Sequence, residues 1–180
     1  MSRNTHRTIT IGSALALAAL LGAATSSARP APTEYFKGPP WVSIEYPVNP
    51  YDATMRGAVL LVHEFHHATQ VAGAVEGTAE GLVGGTRRSV ALHFDTTSRM
   101  GVFALRKQWP SEGTWSLLIK VYQGHGDGAT AVVDIGAAGE VTSVRVPTKR
   151  QDQWDIPQQV SAHEIDSTLT ARAARSMSRR

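Results

Sequence analysis

From Gly84 to Val146 the chain repeats one pattern, in which a short run of alternating apolar and polar residues is followed by a few turn-forming residues. In the clearest run, Trp115, Leu117 and Ile119 are separated by single residues, so they would share one face of a strand. The runs lie at 90–94, 103–106, 115–122, 132–135 and 141–146, and a similar run stands earlier at 41–46. The segments between the later runs are too short for the crossover helix that a parallel sheet requires. The pattern therefore predicts a mainly β protein, an antiparallel sandwich or barrel.

A helix is predicted only near the C-terminus. Ser161 and Glu164 have the spacing of a capping box, in which both side chains satisfy amide groups at a helix start. One apolar stripe follows at four-residue intervals, formed by Ile165, Leu169 and Ala173. We therefore expect a β domain over 41–149 and a short helix with a basic tail over 150–180.

One hairpin resembles a known family. Gly101, Phe103 and Leu105 lead through Pro110 and Gly113 into a strand that begins with Trp115. This segment resembles the later strands of carboxypeptidase-regulatory-like and related exported immunoglobulin-like β-sandwich domains, and 75–82 resembles their opening strand. The resemblance implies an immunoglobulin-like antiparallel sandwich of about seven strands. It also implies a module that binds, braces or presents, and it implies no catalytic residues.

The N-terminus has the three parts of a secretory signal. Arg3 and Arg7 precede an uncharged apolar run, which ends in the small residues Ser26, Ser27 and Ala28. The run is shorter than the roughly 20 apolar residues of a membrane-spanning helix. We therefore expect residues 1–28 to be a cleaved signal peptide, 29–40 to be a Pro-rich linker, and the mature protein to be periplasmic or secreted without stable membrane insertion.

The composition limits the partners. The formal charge is +3, but two arginines belong to the predicted signal and four basic residues lie within 172–180, so the remaining body is slightly acidic. A nucleic-acid partner is not expected because the body lacks a basic surface. The basic terminus is interpreted as a solvated tail. The chain has no cysteine, so the hydrophobic core alone must hold the fold.

One motif contains residues that could bind a metal ion or catalyse a reaction. Residues 63–67 read His-Glu-Phe-His-His and match H-E-x-x-H. On a helix, His63 and His67 would share one face and could bind zinc, with Glu64 as general base, and here the sequence resembles a zincin metallopeptidase. The third ligand is missing from the expected places, since Gln70 and Gly73 stand where the metzincin pattern needs Gly and His. Other candidates either follow too closely or lie in strand or turn sequence, namely Glu76, Glu80, His93, Glu112 and His125.

The alternative for this segment is a strand, which the β-rich remainder favours. A strand would turn His63 and Glu64 to opposite faces, which removes the peptidase chemistry. His63 and His67 would then share a face and could bind zinc or copper, with His66 nearby and His93 as a further ligand. In the third interpretation, these histidines are polar residues at the end of a strand and bind no metal. We predict an exported non-catalytic binding or accessory module for an unknown protein or small ligand, with a metal site as one option and a zinc metallopeptidase as the alternative.

Overall fold

A computed structural model describes residues 40–123 and 127–178. The predicted signal at 1–28 and all of the predicted linker except Pro40 lie outside the described residues, as does the candidate ligand His125. Within the described part of the chain, no helix is long and apolar enough to cross a membrane.

In residues 40–123 and 127–178 the regular structure comprises twelve strands and one α-helix, together with a short 3-10 helix at Ala53–Met55. The strands are β1 Trp41–Glu45, β2 Ala58–His66, β3 Thr69–Gln70, β4 Ala74–Val83, β5 Thr86–Ala91, β6 Asp95–Thr96, β7 Val102–Arg106, β8 Thr114–Gln123, β9 Asp127–Ile135, β10 Val141–Arg145, β11 Thr148–Gln151 and β12 Trp154–Pro157. Helix α1 spans Ala162–Met177.

The strands form two five-stranded antiparallel sheets and one separate hairpin. The first sheet has the order β1-β2-β7-β6, with β3 also paired to β2. The second sheet has the order β10-β9-β8-β4-β5, and β11 pairs with β12 in a two-stranded sheet. In the second sheet Leu117 lies opposite Ala79 on one side and opposite Val133 on the other, which fixes the register of its three central strands.

The core lies between the two sheets, because one cluster of buried side chains includes residues from both. Val42, Leu60, Val62 and Leu105 come from the first sheet. The second sheet contributes residues that alternate along β8 and β9, among them Leu117, Ile119, Val121, Ala131 and Val133. Burying apolar side chains at this interface supplies the main stabilisation, at about 25 cal/mol per Å².

The outer faces of both sheets are partly covered. Ile165 and Leu169 of α1 pack against Val132, which points away from the central core. On the first sheet, Met55 from the 3-10 helix packs against Leu61 and neighbouring β7 residues. The predicted helix stripe is therefore confirmed, and so is its cap, since the Ser161 hydroxyl accepts a hydrogen bond from the Glu164 amide at 3.2 Å.

The predicted mainly β antiparallel sandwich with a C-terminal helix is confirmed, but the strand number is larger than the expected seven. The β3 and β6 strands have two residues each, too few to produce an alternating pattern. The β11–β12 hairpin begins at Thr148 and extends into the segment assigned to the helix and tail. Its strand β11 is fully exposed, so burial imposes no apolar alternation there and the sequence carries no signal for it.

Candidate functional site

The histidine-rich segment forms a strand, as the sequence analysis favoured. Leu60 and Val62 of β2 face the central core, and Glu64, two residues further on, is completely buried. His63 points to the opposite face because successive side chains alternate along a strand. The helix face that would bring His63 and His67 together over a zinc ion is therefore not formed.

His63 belongs to a charged group on the outer face of the first sheet. Its Nε2 atom lies 2.9 Å from Glu45 Oε2, and the same carboxylate oxygen lies 3.3 Å from the Arg99 guanidinium. The His63 ring is nearly parallel to the Phe65 ring, with an interplanar angle of 11° and a centroid separation of 6.3 Å. An ion bound at Nε2 of His63 would have to replace the contact with Glu45.

Glu64 forms hydrogen bonds with the segment that connects the two sheets. Its Oε2 atom accepts a hydrogen bond of 2.6 Å from the Gly73 amide, and its backbone carbonyl accepts one of 3.0 Å from Val71. Residues 71–73 carry the chain from β3 in the first sheet to β4 in the second. A Cβ atom at Gly73 would lie 2.2 Å from Glu64 Oε1, so this close approach requires glycine. The residue considered as a general base thus makes contacts that serve the fold.

His66 and His67 come together at the tip of the β2–β3 hairpin. His66 pairs with Thr69 across the hairpin, which leaves a two-residue turn of His67 and Ala68. Both turn residues have positive φ angles, +52° and +61°, as a type I′ turn requires. The two imidazole rings are 3.9 Å apart between centroids and tilted by 33°, with His66 exposed and His67 half-buried.

The expectation that His67 shares a strand face with His63 is wrong, because β2 ends at His66 and the chain reverses at His67. His93 lies between β5 and β6, where it is exposed and exchanges backbone hydrogen bonds with the Gln108 side chain. The structure brings together His66 and His67 and leaves His63 with Glu45. Among residues 40–123 and 127–178, no three His, Asp or Glu side chains are grouped so that they could hold a metal ion.

The turn conformation predicts an effect on stability. Alanine in the left-handed region costs roughly 1–2 kcal/mol, whereas glycine adopts it freely. Ala68→Gly should therefore stabilise the protein by about 0.5–1 kcal/mol. The gain is smaller than the relieved strain because glycine also raises the conformational entropy of the unfolded chain. Urea denaturation measures the change. Ala91→Gly, on the exposed β5 strand, is the matched control and should destabilise; a loss of stability in both variants would contradict the assigned turn.

A second polar group, around Arg172, was not found by the sequence analysis. The prediction that Arg172 lies in a solvated tail is wrong, because its side chain is only 14% exposed and makes an ion pair of 3.1 Å with Asp134 of β9. Burial lowers the pKa of the Arg172 guanidinium, and the Asp134 carboxylate acts in the opposite direction. Helical spacing could have predicted this position. Arg172 follows Ile165 by seven residues and Leu169 by three, so it lies on the helix face that packs against the sheet.

Comparison with known proteins adds no relative. No family model matches the chain, and neither the curated proteins nor the solved structures contain a match.

Proposed function

We propose that the protein is an exported, non-catalytic binding module of the immunoglobulin-like β-sandwich class, which takes up a zinc or copper ion at His66 and His67. The observation that carries the proposal is the pair of imidazole rings 3.9 Å apart at the hairpin tip. The antiparallel sandwich with its apolar interior supports the class of module.

Imidazole nitrogen suits both zinc and copper ions. The His66 side chain is exposed, and a rotation of its ring away from its contact with His67 would direct a nitrogen toward an ion that His67 also binds. Two protein ligands leave coordination positions for water, for a small ligand or for a residue of a partner protein. Such a site would hold the ion in an exchangeable form, which fits an accessory module better than an enzyme.

The positions of Glu64 and His63, the residues considered for zinc peptidase chemistry, also support a non-catalytic role. A zinc peptidase needs a carboxylate beside the metal-bound water. The Glu64 carboxylate instead accepts a hydrogen bond from the Gly73 amide and is completely buried. His63 lies on the other face of β2, next to Glu45.

Metal titration of the purified, untagged chain tests the proposal. Calorimetry should detect one equivalent of zinc or copper, and the double variant His66→Ala/His67→Ala should bind with affinity reduced by more than about tenfold. The matched control is His93→Ala/His163→Ala, which removes two exposed histidines elsewhere. The control should bind like the parent protein. Equal weakening in both double variants, or a parent protein that takes up no ion, would contradict the metal site.

A further inference from the structure

The outer face of the first sheet carries a row of accessible side chains along β1. Val42 is completely buried in the core, so Trp41 and Ser43 point outward, and Glu45 follows them on the same face. Trp41 is 37% exposed, whereas Trp115 in the core is 2% exposed. The row is about 13 Å long, at about 3.3 Å per residue. Strand β1 therefore presents an aromatic ring, a hydroxyl group and a carboxylate in line.

A second aromatic ring lies beside Trp41. Phe65 of β2 is the cross-strand partner of Trp41, and such opposite residues have Cβ atoms about 5 Å apart. The half-buried Phe65 ring stacks on the His63 ring, which is itself nearly buried and supports it. Met55 covers this face farther along, over Leu61. Trp41 and Phe65 thus form an aromatic platform at the other end of the face.

Polar groups with fixed positions border this platform. Both terminal nitrogens of Arg99 donate to Glu45 Oε2, at 3.3 and 3.4 Å, and the same oxygen contacts His63. The two side chains remain accessible, with 46% of Arg99 and 32% of Glu45 exposed. Each retains hydrogen-bonding capacity, because a guanidinium has more N–H groups and a carboxylate more lone pairs than this contact uses. The Glu45–Arg99 pair offers donors and acceptors without net charge.

We propose that the aromatic platform and its polar border bind a neutral, β-linked glycan. Its pyranose rings stack on Trp41 and Phe65, because the negative face of an aromatic ring attracts the C–H groups on the flat side of a sugar. Its hydroxyl groups donate to Glu45 and accept from Arg99, and charged partners strengthen both kinds of hydrogen bond. An uncharged ligand fits because the Glu45–Arg99 pair is neutral. Neither His66 nor His67 takes part, so the glycan site does not depend on the proposed metal binding.

Calorimetric titration of the purified chain with cellohexaose and, separately, with chitohexaose tests the proposal. Both probes are β-linked chains of pyranoses whose equatorial hydroxyl groups leave flat C–H faces. We expect saturable binding of at least one. Binding of cellohexaose would assign a glucan ligand, and binding of chitohexaose would assign an amino-sugar ligand. Either result supports the proposal, and the absence of saturable binding with both probes overturns it.

Two matched pairs of variants locate the site. Trp41→Ala should weaken probe binding by about tenfold or more. Its control is Trp154→Ala, which removes a 48% exposed tryptophan from β12 and should leave affinity unchanged. Arg99→Ala tests the polar border without altering a ring, and its control is Arg88→Ala on the exposed strand β5. Should Trp41→Ala fail to fold by circular dichroism, the two arginine variants decide alone. Equal affinity within each folded pair would overturn the assignment.

A second copy of the chain is the competing occupant of this face, and sedimentation velocity distinguishes it from a glycan. We expect the parent protein and Trp41→Ala to sediment alike, as they do if the platform is free for a sugar. A parent dimer that dissociates in Trp41→Ala would overturn the glycan site and assign the platform to self-association.

Discussion

Replacing Arg172 by alanine is expected to destabilise the protein by about 3–5 kcal/mol, the usual cost of removing one partner from a buried ion pair. The Asp134 side chain is only 11% exposed and would lose its closest guanidinium. The carbonyls of Trp115 and Ile135 would also lose a donor. Because these acceptors belong to β8 and β9, the substitution should loosen α1 from the second sheet.

Urea denaturation followed by circular dichroism measures this loss, and Arg175→Ala is the matched control. Arg175 lies on the same helix but is exposed, so its removal should change stability by no more than about 0.5 kcal/mol. The double variant Arg172→Ala/Asp134→Ala should be less destabilised than the sum of the single variants, because no lone charge remains buried. Similar values for Arg172→Ala and Arg175→Ala would show that Arg172 does not anchor the helix.

The second large effect concerns Glu64 and Gly73. Gly73→Ala should destabilise the protein by about 1–3 kcal/mol, because the added methyl group overlaps the buried Glu64 carboxylate. Glu64→Ala should itself cost about 1–3 kcal/mol, since the Gly73 amide loses its acceptor. Their combination should cost less than the sum, because the shorter side chain leaves room for the methyl group.

Equilibrium denaturation of the two single variants and the double variant measures this coupling. Glu76→Ala is the control for loss of a carboxylate, since Glu76 is exposed on β4 and its removal should have little effect. Additive losses in the double variant would mean that Gly73 does not need the space beside Glu64.

Burial explains which elements could be predicted from the sequence. Leu117, Ile119 and Val121 alternate because one face of β8 lies in the core, and this alternation is visible in the sequence. Ser161 begins the helix through a side-chain contact only three residues away, so its role is also local.

The remaining features depend on contacts distant in sequence or on unusual residues. Arg172 meets Ser116 and Asp134 only after the sheet has formed, and an arginine near a basic terminus gives no indication of this. The turn at His67 lacks the Asn-Gly or Asp-Gly pair that normally marks a type I′ turn. Glu64 is a carboxylate in a core position, which an apolar pattern cannot reveal.

We expect the histidines to bind a metal ion at the hairpin tip and not together with Glu64. Imidazole resonances recorded during a zinc titration of the untagged chain test it most directly. The His66 and His67 signals should shift together and saturate at one equivalent, while the His63 signal stays unchanged beside Glu45. A joint shift of His63 and His67 that leaves the His66 signal unchanged would contradict this expectation and would support the zinc peptidase arrangement.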